Sequence, residues 1–309
     1  MQNIEYYLEY FENFNDVYIG VDENGYTFIS IESHDCINDC YIQKTKKLLF
    51  KYNVFCTIKI NNESKSTKLH ILTCTSLEQK HIINFKRLIS AFIKTEEYNM
   101  SAKISDLFSV FLTMFSIPKN RTYEDFEGFF SELYFMYHMR MNGLDISSYW
   151  QSKAKMKFDF TFSNQMKLDV KSTSRLNRIH HFKHEQLASD IYDIRIVSLL
   201  IRKADRGLSI NDLINRILEI GPLPLSAEKI IQSYISNTEN DTELDELKFD
   251  EQYILSNIKF YDADIIPKFN CKQPNGVTRT EYDSDLTNCN AITIQELKNW
   301  IGSNLKTTV

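Results

Sequence analysis

The segment from Lys157 to Thr173, KFDFTFSNQMKLDVKST, constrains the fold and chemistry of this chain more than any other stretch. Apolar and polar residues alternate along both of its arms, the period of strands that lay one face on a core. Phe158, Phe160 and Phe162 form one set on the first arm, with Asp159 and Thr161 on the other side. On the second arm Met166, Leu168 and Val170 alternate with Lys167, Asp169 and Lys171. Matching the apolar sets places Phe160 opposite Leu168 and Phe158 opposite Val170, and leaves Ser163, Asn164 and Gln165 as the turn. That register sets Asp159 opposite Asp169. Like charges directly opposed destabilise a strand pair unless a proton or a cation sits between them. Lys171 shares their face, one pleat along. Two carboxylates and an ammonium gathered in this way predict a metal-dependent hydrolytic site rather than packing.

The flanking sequence supports an α/β core around this hairpin. Residues 123–140 carry Phe126, Phe129, Phe130, Leu133, Met136 and Tyr137 at helical spacing. Glu132 lies on the edge of that stripe. It reads either as a boundary residue or as a carboxylate reaching into the site. Gly128, one turn earlier, is a candidate point of close approach. After the hairpin, HHFKHEQLASDIYD reads as a turn leading into a short helix. IRIVSLLIR, 194–202, reads as a buried strand, and LSINDLINRILEI, 208–220, as a helix introduced by Ser209. Earlier in the chain, 18–33 reads as a hairpin turning at Asn24-Gly25. Segments 51–60 and 67–76 read as paired strands, and 77–96 and 104–117 as helices. Beyond 223, SAEKIIQSYISN predicts a helix and GVTRTEYDSDL, 276–286, an edge strand. The expected organisation is an N-terminal mixed region over 1–100, a core over 101–222 and a C-terminal accessory region over 223–309.

Composition excludes several classes. Eight Gly and five Pro in 309 residues leave little for glycine-rich nucleotide loops, and neither G-x-G-x-x-G nor G-x-x-x-x-G-K-[ST] occurs. The first twenty residues lack a basic start followed by an apolar run, and LFSVFLTMFSI at 107–117 is too short to span a bilayer. A cytoplasmic protein is expected. The six cysteines are scattered, with one close pair, Cys36 and Cys40, and read as reduced thiols. The net charge of −5 gives no global attraction to polyanions, but charge is unevenly distributed. Lys153, Lys155, Lys157, Lys167, Lys171, Arg175, Arg178 and Lys183 cluster around the hairpin, opposed by only Asp159 and Asp169 between Trp150 and His184. Such a block steers a polyanion toward the carboxylates.

The chemistry follows from the residue types. Mg²⁺ takes oxygen ligands, commonly one or two carboxylates, waters and substrate phosphates. Asp159 and Asp169 supply carboxylates, the Val170 carbonyl is a further ligand candidate, and Glu132 completes the set or orients a water. Lys171 is placed to orient the attacking water and to stabilise developing negative charge.

The pattern Asp159-x9-Asp169-Val170-Lys171, with Glu132 on a preceding helix, resembles the PD-(D/E)XK nuclease superfamily. The wider sequence is similar to a bacterial family known as PD-(D/E)XK motif proteins. The matching stretches are Gly128-FFSELYF, Trp150, FDFTF, LDVKST, the Arg178-x-HHF segment with Glu185-Gln186-Leu187, IPKF and GVTRTEYDSDL. The resemblance implies a restriction-endonuclease-like α/β fold, a mixed central sheet flanked by helices, with an N-terminal β-hairpin region and a C-terminal extension. It implies a Mg²⁺-dependent DNA endonuclease, with Mn²⁺ as a substitute ion, acting in restriction or phage defence. Double-stranded DNA is the expected substrate, with RNA as the alternative, and a homodimer or other defence proteins are the implied partners. Gln186 would bind phosphate or a water; His180 and His181 would contact phosphate or carry a proton, or else form a helix-start hydrogen-bond network. Arg175, Arg178, Lys153 and Lys155 are candidate DNA contacts. The alternative function is a DNA-binding or scaffold subunit with little activity alone. Phe158 stands where the superfamily has proline, and Asp169 is the shorter of the two acids the motif allows.

Overall fold

A computed structural model describes residues 5–12, 17–33, 40–44, 48–60, 63–95, 121–151, 157–236, 238, 242–270, 274–277 and 279–305. The chain divides into two compact units, one over 1–119 and 231–237, the other over 120–230 and 238–309.

The first unit is built around a seven-stranded sheet. Its strands are β1 (Glu5–Tyr7), β2 (Glu9–Tyr10), β3 (Val17–Val21), β4 (Thr27–Glu32), β5 (Tyr41–Lys44), β6 (Leu48–Ile60) and β7 (Glu63–Cys74), followed by helix α1 (Gln79–Thr95). The order is β1-β6-β7-β4-β3-β2, with β5 also pairing β6. The expected hairpin at 18–33 is β3–β4. Its turn forms because the Asp22 carboxylate accepts from the Asn24 and Tyr26 amides, while Gly25 takes a positive φ of 80°. The β6–β7 pair runs further than its apolar residues predict. Its ladder continues to Ile60 opposite Glu63, so polar Glu63–Ser66 belong to a strand rather than a connection. Cys56 and Cys74 are buried.

The second unit carries the hairpin. Its elements are helix α2 (Tyr123–Met141), strands β8 (Phe160–Thr161), β9 (Met166–Thr173) and β10 (Ile179–Lys183), a single helical turn α3 (His184–Leu187), and strands β11 (Asp193–Leu200) and β12 (Lys203–Leu208). These are followed by helices α4 (Ile210–Ile220), α5 (Leu225–Ser236), α6 (Glu243–Glu246) and α7 (Glu251–Asn257), strands β13 (Lys259–Asp262) and β14 (Glu281–Asp285), and helix α8 (Ile294–Leu305). Four strands form a mixed sheet in the order β13-β11-β9-β8. β9 and β11 are parallel, and the two edge strands run antiparallel to their neighbours. A separate antiparallel pair, β10–β14, lies over one face.

Both faces of the four-stranded sheet are covered, giving a three-layer α/β architecture of restriction-endonuclease-like type. On one face α2 packs Phe135 edge-on against Phe160, at 5.5 Å between ring centres, and against Phe260 at 6.4 Å. On the other, Ile194, Ile196 and Tyr261 form a core with Phe158, Phe182, Leu187 and Leu286. α2 itself starts at a reciprocal cap in which Thr122 Oγ1 accepts from the Asp125 amide and Asp125 accepts from the Thr122 amide. Its buried set is wider than the predicted stripe. Tyr134, Phe135 and Met139 join it because the helix is packed between the sheet and α4.

Several expectations are corrected. Gly128 is not a point of close approach, since a Cβ built there meets no atom within 4 Å. His181–Lys183 are strand, not turn, because β14 supplies a ladder partner. Residues 259–262 are a strand of the site-bearing sheet, so the region expected to be accessory contributes to the core. The expected helix at 104–117 lies outside the described residues.

Candidate active site

The predicted register holds at the centre of the hairpin, where Phe160 pairs with Leu168 and Thr161 with Lys167. The turn closes through a Phe162 amide bond to the Met166 carbonyl at 3.1 Å, with Ser163 Oγ accepting from the Gln165 and Met166 amides. The ladder stops at Phe160. Beyond it the Val170 amide donates to Asp159 Oδ2 at 2.7 Å, a side chain replacing the expected backbone partner. The Asp159 carbonyl meanwhile accepts from the Gln151 amide at 2.8 Å. Leaving the ladder frees Phe158 from strict alternation. It packs with Phe182, Leu187 and Ile194, on the opposite side from Phe160.

Asp169 and Lys171 share the face of β9 that carries Ile196 and Ser198 on the neighbouring strand. Asp169 is only 3% exposed. Its Oδ2 is buried and lies 2.8 Å from Lys171 Nζ, a close ion pair. Lys171 extends over the Phe182 ring, 5.3 Å from its centre, and reaches Gln186 Oε1 at 3.4 Å. Gln186 is buried and held on both sides. Its Oε1 accepts from the Lys183 amide at 3.0 Å and its Nε2 donates to the Lys157 carbonyl at 2.9 Å. The Lys157 side chain pairs with Glu185.

Glu132 enters from α2, recessed but not sealed, with Oε2 accepting from the Trp150 indole N–H at 2.6 Å. Burial pushes its carboxyl up to about 7; the charge of Asp169 adds to the shift, while the Trp150 bond opposes it. Burial likewise raises Asp159 well above the ordinary aspartate range, helped by the charges of Glu132 and Asp169 and opposed by the Val170 amide and Lys171. Burial pulls Lys171 down, but the charges of Asp169, Asp159 and Glu132 outweigh it and hold the ammonium above its usual value. Three carboxylates thus repel one another around a single ammonium. Two of them are driven toward protonation, by burial first and by their neighbours' charge second.

The remaining candidates separate clearly. Arg178 is buried, its guanidinium donating to the Ser198 carbonyl and hydroxyl at 3.0 and 2.9 Å and to the Asn257 carbonyl. His180 is buried and bonded to the same Ser198 hydroxyl at 2.7 Å. Burial first, then Lys171 and Arg178, lower it to about 4, so it is neutral. These two residues tie β10 to β11 and have no surface to offer a phosphate. His180 is thus part of a hydrogen-bond network between β10 and β11. His181 is exposed and lies between Asp283 and Glu281, at 3.0 and 3.4 Å, an acidic setting. Arg175 is exposed just beyond the end of β9. Lys153 and Lys155 lie outside the described residues. Trp150 received no role from sequence reasoning. Its presence just before the hairpin was legible, but its pairing with a glutamate 18 residues earlier was not.

A family model described as "Putative PD-(D/E)XK family member, (DUF4420)" matches residues 12–287. The chain belongs to this family. No curated protein and no solved structure matches it. Among the described residues no group of three or more His, Cys, Asp or Glu side chains is arranged to enclose a metal ion. The donor chemistry nonetheless suits a hard divalent cation that retains its waters and needs only one or two carboxylates. The mutual repulsion of Glu132, Asp159 and the buried Asp169 is what such a charge would relieve. No helix among the described residues is long and apolar enough to cross a membrane.

Proposed function

We propose that this chain is a Mg²⁺-dependent nuclease that hydrolyses phosphodiester bonds in double-stranded DNA, as part of restriction or phage defence. The observation that carries the reading is the gathering of Glu132, Asp159 and Asp169 around Lys171, three acids against one ammonium, with Asp169 buried beside it at 2.8 Å. Family membership and the block of Lys and Arg residues around the hairpin support it.

Asp159 and Asp169 would hold the cation, with Glu132 next to them and the Val170 carbonyl as a further donor. When bound, the ion supplies a Lewis acid that neutralises phosphate charge and makes a water more acidic. Lys171 then has two tasks set by its own contacts. Asp169 and Gln186 fix its ammonium, and from there it donates to a phosphate oxygen or orients the attacking water. Glu132, held by Trp150, orients a second water or accepts its proton. Arg175, together with Lys153 and Lys155, offers charge to the DNA backbone.

The test is incubation of supercoiled plasmid with the purified chain in Mg²⁺ or Mn²⁺. Nicking or linearisation is expected, falling by about 10²–10³-fold in D169A and K171A. Cleavage that survives in D169A, or that needs no divalent ion, would refute the proposal.

A second reading is a DNA-binding subunit of a larger defence complex with little activity alone. The lack of a preformed three-ligand cage among the described residues favours it. Salt-sensitive DNA binding without cleavage in any divalent ion, followed by cleavage once other defence proteins are added, would select it.

A further inference from the structure

We infer that Trp150 is a positioning residue of this site, fixing Glu132 from one side so that its second oxygen is left for the cation or water that Asp159 and Asp169 attract. The inference rests on the functional reading above.

The geometry is built in three steps. First, the segment that delivers Trp150 is anchored to the helix that carries Glu132. Arg140, near the end of α2, pairs with Asp145 at 3.3 Å, and Asp145 Oδ1 accepts from the Ser147 amide and hydroxyl at 2.9 and 2.6 Å. A single 3-10 turn, Ser147–Tyr149, then leads directly to Trp150. Second, the backbone here is joined to the hairpin. Trp150 forms an antiparallel bridge with Phe160, and the next amide, Gln151, donates to the Asp159 carbonyl. One short stretch therefore holds the backbone at Asp159 and Phe160. Third, the indole is locked. It is 2% exposed and lies 5.7 Å from the Phe129 ring, one turn before Glu132. With so little surface, water cannot replace its N–H.

An indole N–H is a donor with no acceptor capacity. At 2.6 Å it engages Glu132 Oε2 and cannot compete for a proton or a cation. Oε1 has no hydrogen bond among the described residues. A carboxylate held through one oxygen loses rotamer freedom, and the other oxygen keeps its lone pairs for an incoming positive charge. Partners of this kind commonly change metal affinity by about 10–100-fold when removed.

The experiment uses the full chain and Ca²⁺ as a probe that binds without cleavage, followed by calorimetry. W150F keeps ring packing against Phe129 and deletes only the N–H. Its Ca²⁺ affinity is expected to fall by about tenfold. In an E132Q background the same substitution should change nothing further, because the bond it deletes no longer serves a carboxylate. Equal losses in both backgrounds would show Trp150 to be scaffold only and would overturn the inference. A readout independent of folding changes in W150F comes from ¹⁵N-indole labelling with W300F to leave one tryptophan. The Trp150 N–H resonance should shift on Ca²⁺ addition and in E132Q. A resonance indifferent to both would also overturn it. If the wild-type chain binds no divalent ion with or without DNA, the metal reading itself falls, an outcome distinct from binding that proceeds without coupling to Trp150.

Discussion

Glu132 shows how much of the site's behaviour is set by single side chains. Its folded carboxyl sits at about 7 against an ordinary 4.5, so the folded state holds its proton more tightly than the unfolded chain does. Stability from this residue is therefore complete below about pH 4.5 and is lost as pH rises through about 7. The loss is on the order of 3 kcal/mol, from about 1.4 kcal/mol per unit of displacement. Melting curves in chelator should show the wild type losing stability over that window and E132Q losing less. Saturating Mg²⁺ should flatten the wild-type curve. An identical pH dependence in the two chains would contradict the account. The motif acids and lysine were legible in sequence because strand alternation and a three-residue turn leave few registers for the hairpin. The Asp159 carboxylate bonding the Val170 amide was not legible, since nothing in a pattern of side chains tells where a ladder ends.

Among the elements, β10 is the instructive case. Its sequence, IHHFK, mixes imidazoles with apolar residues and offers three functional candidates at or beside its start. The structure gives them two different fates because β10 is covered on one side and paired on its edge. His180 and Arg178 turn inward to Ser198, and His181 turns outward to β14. Sequence could not separate them, because the partner strand lies about a hundred residues away. The separation has a measurable consequence. R178M should destabilise the fold by about 3 kcal/mol, since charged hydrogen bonds to buried carbonyls are lost. It should leave the salt dependence of DNA binding unchanged. R175A should do the reverse, with little loss of stability and a log-log salt slope smaller by about one. If R178M alters the slope and R175A does not, the assignment of the two arginines is wrong.

At the scale of the whole molecule, the element types were largely readable but their membership was not. The buried strand at 194–202, the Ser209-capped helix and the edge strand near 281 all form. The strand at Lys259–Asp262 escaped notice because KFYD is too short to show a period, and its place beside β11 depends on contacts more than sixty residues distant. Sequence therefore drew a boundary at 223 where the sheet has none. Truncation after residue 237 removes β13 and β14. The remaining chain should lose cooperative melting and bind no Ca²⁺, as followed by calorimetry; a fragment that melts as a single sharp transition would show the sheet to be self-sufficient without them.

The lateness of β13 carries a consequence for how such a protein is made. The sheet under Asp169 lacks its outer strand until translation has passed residue 262, more than sixty residues after the strand it joins. The layer beneath the motif acids is therefore completed late in synthesis, by a segment distant in sequence from the strand it joins.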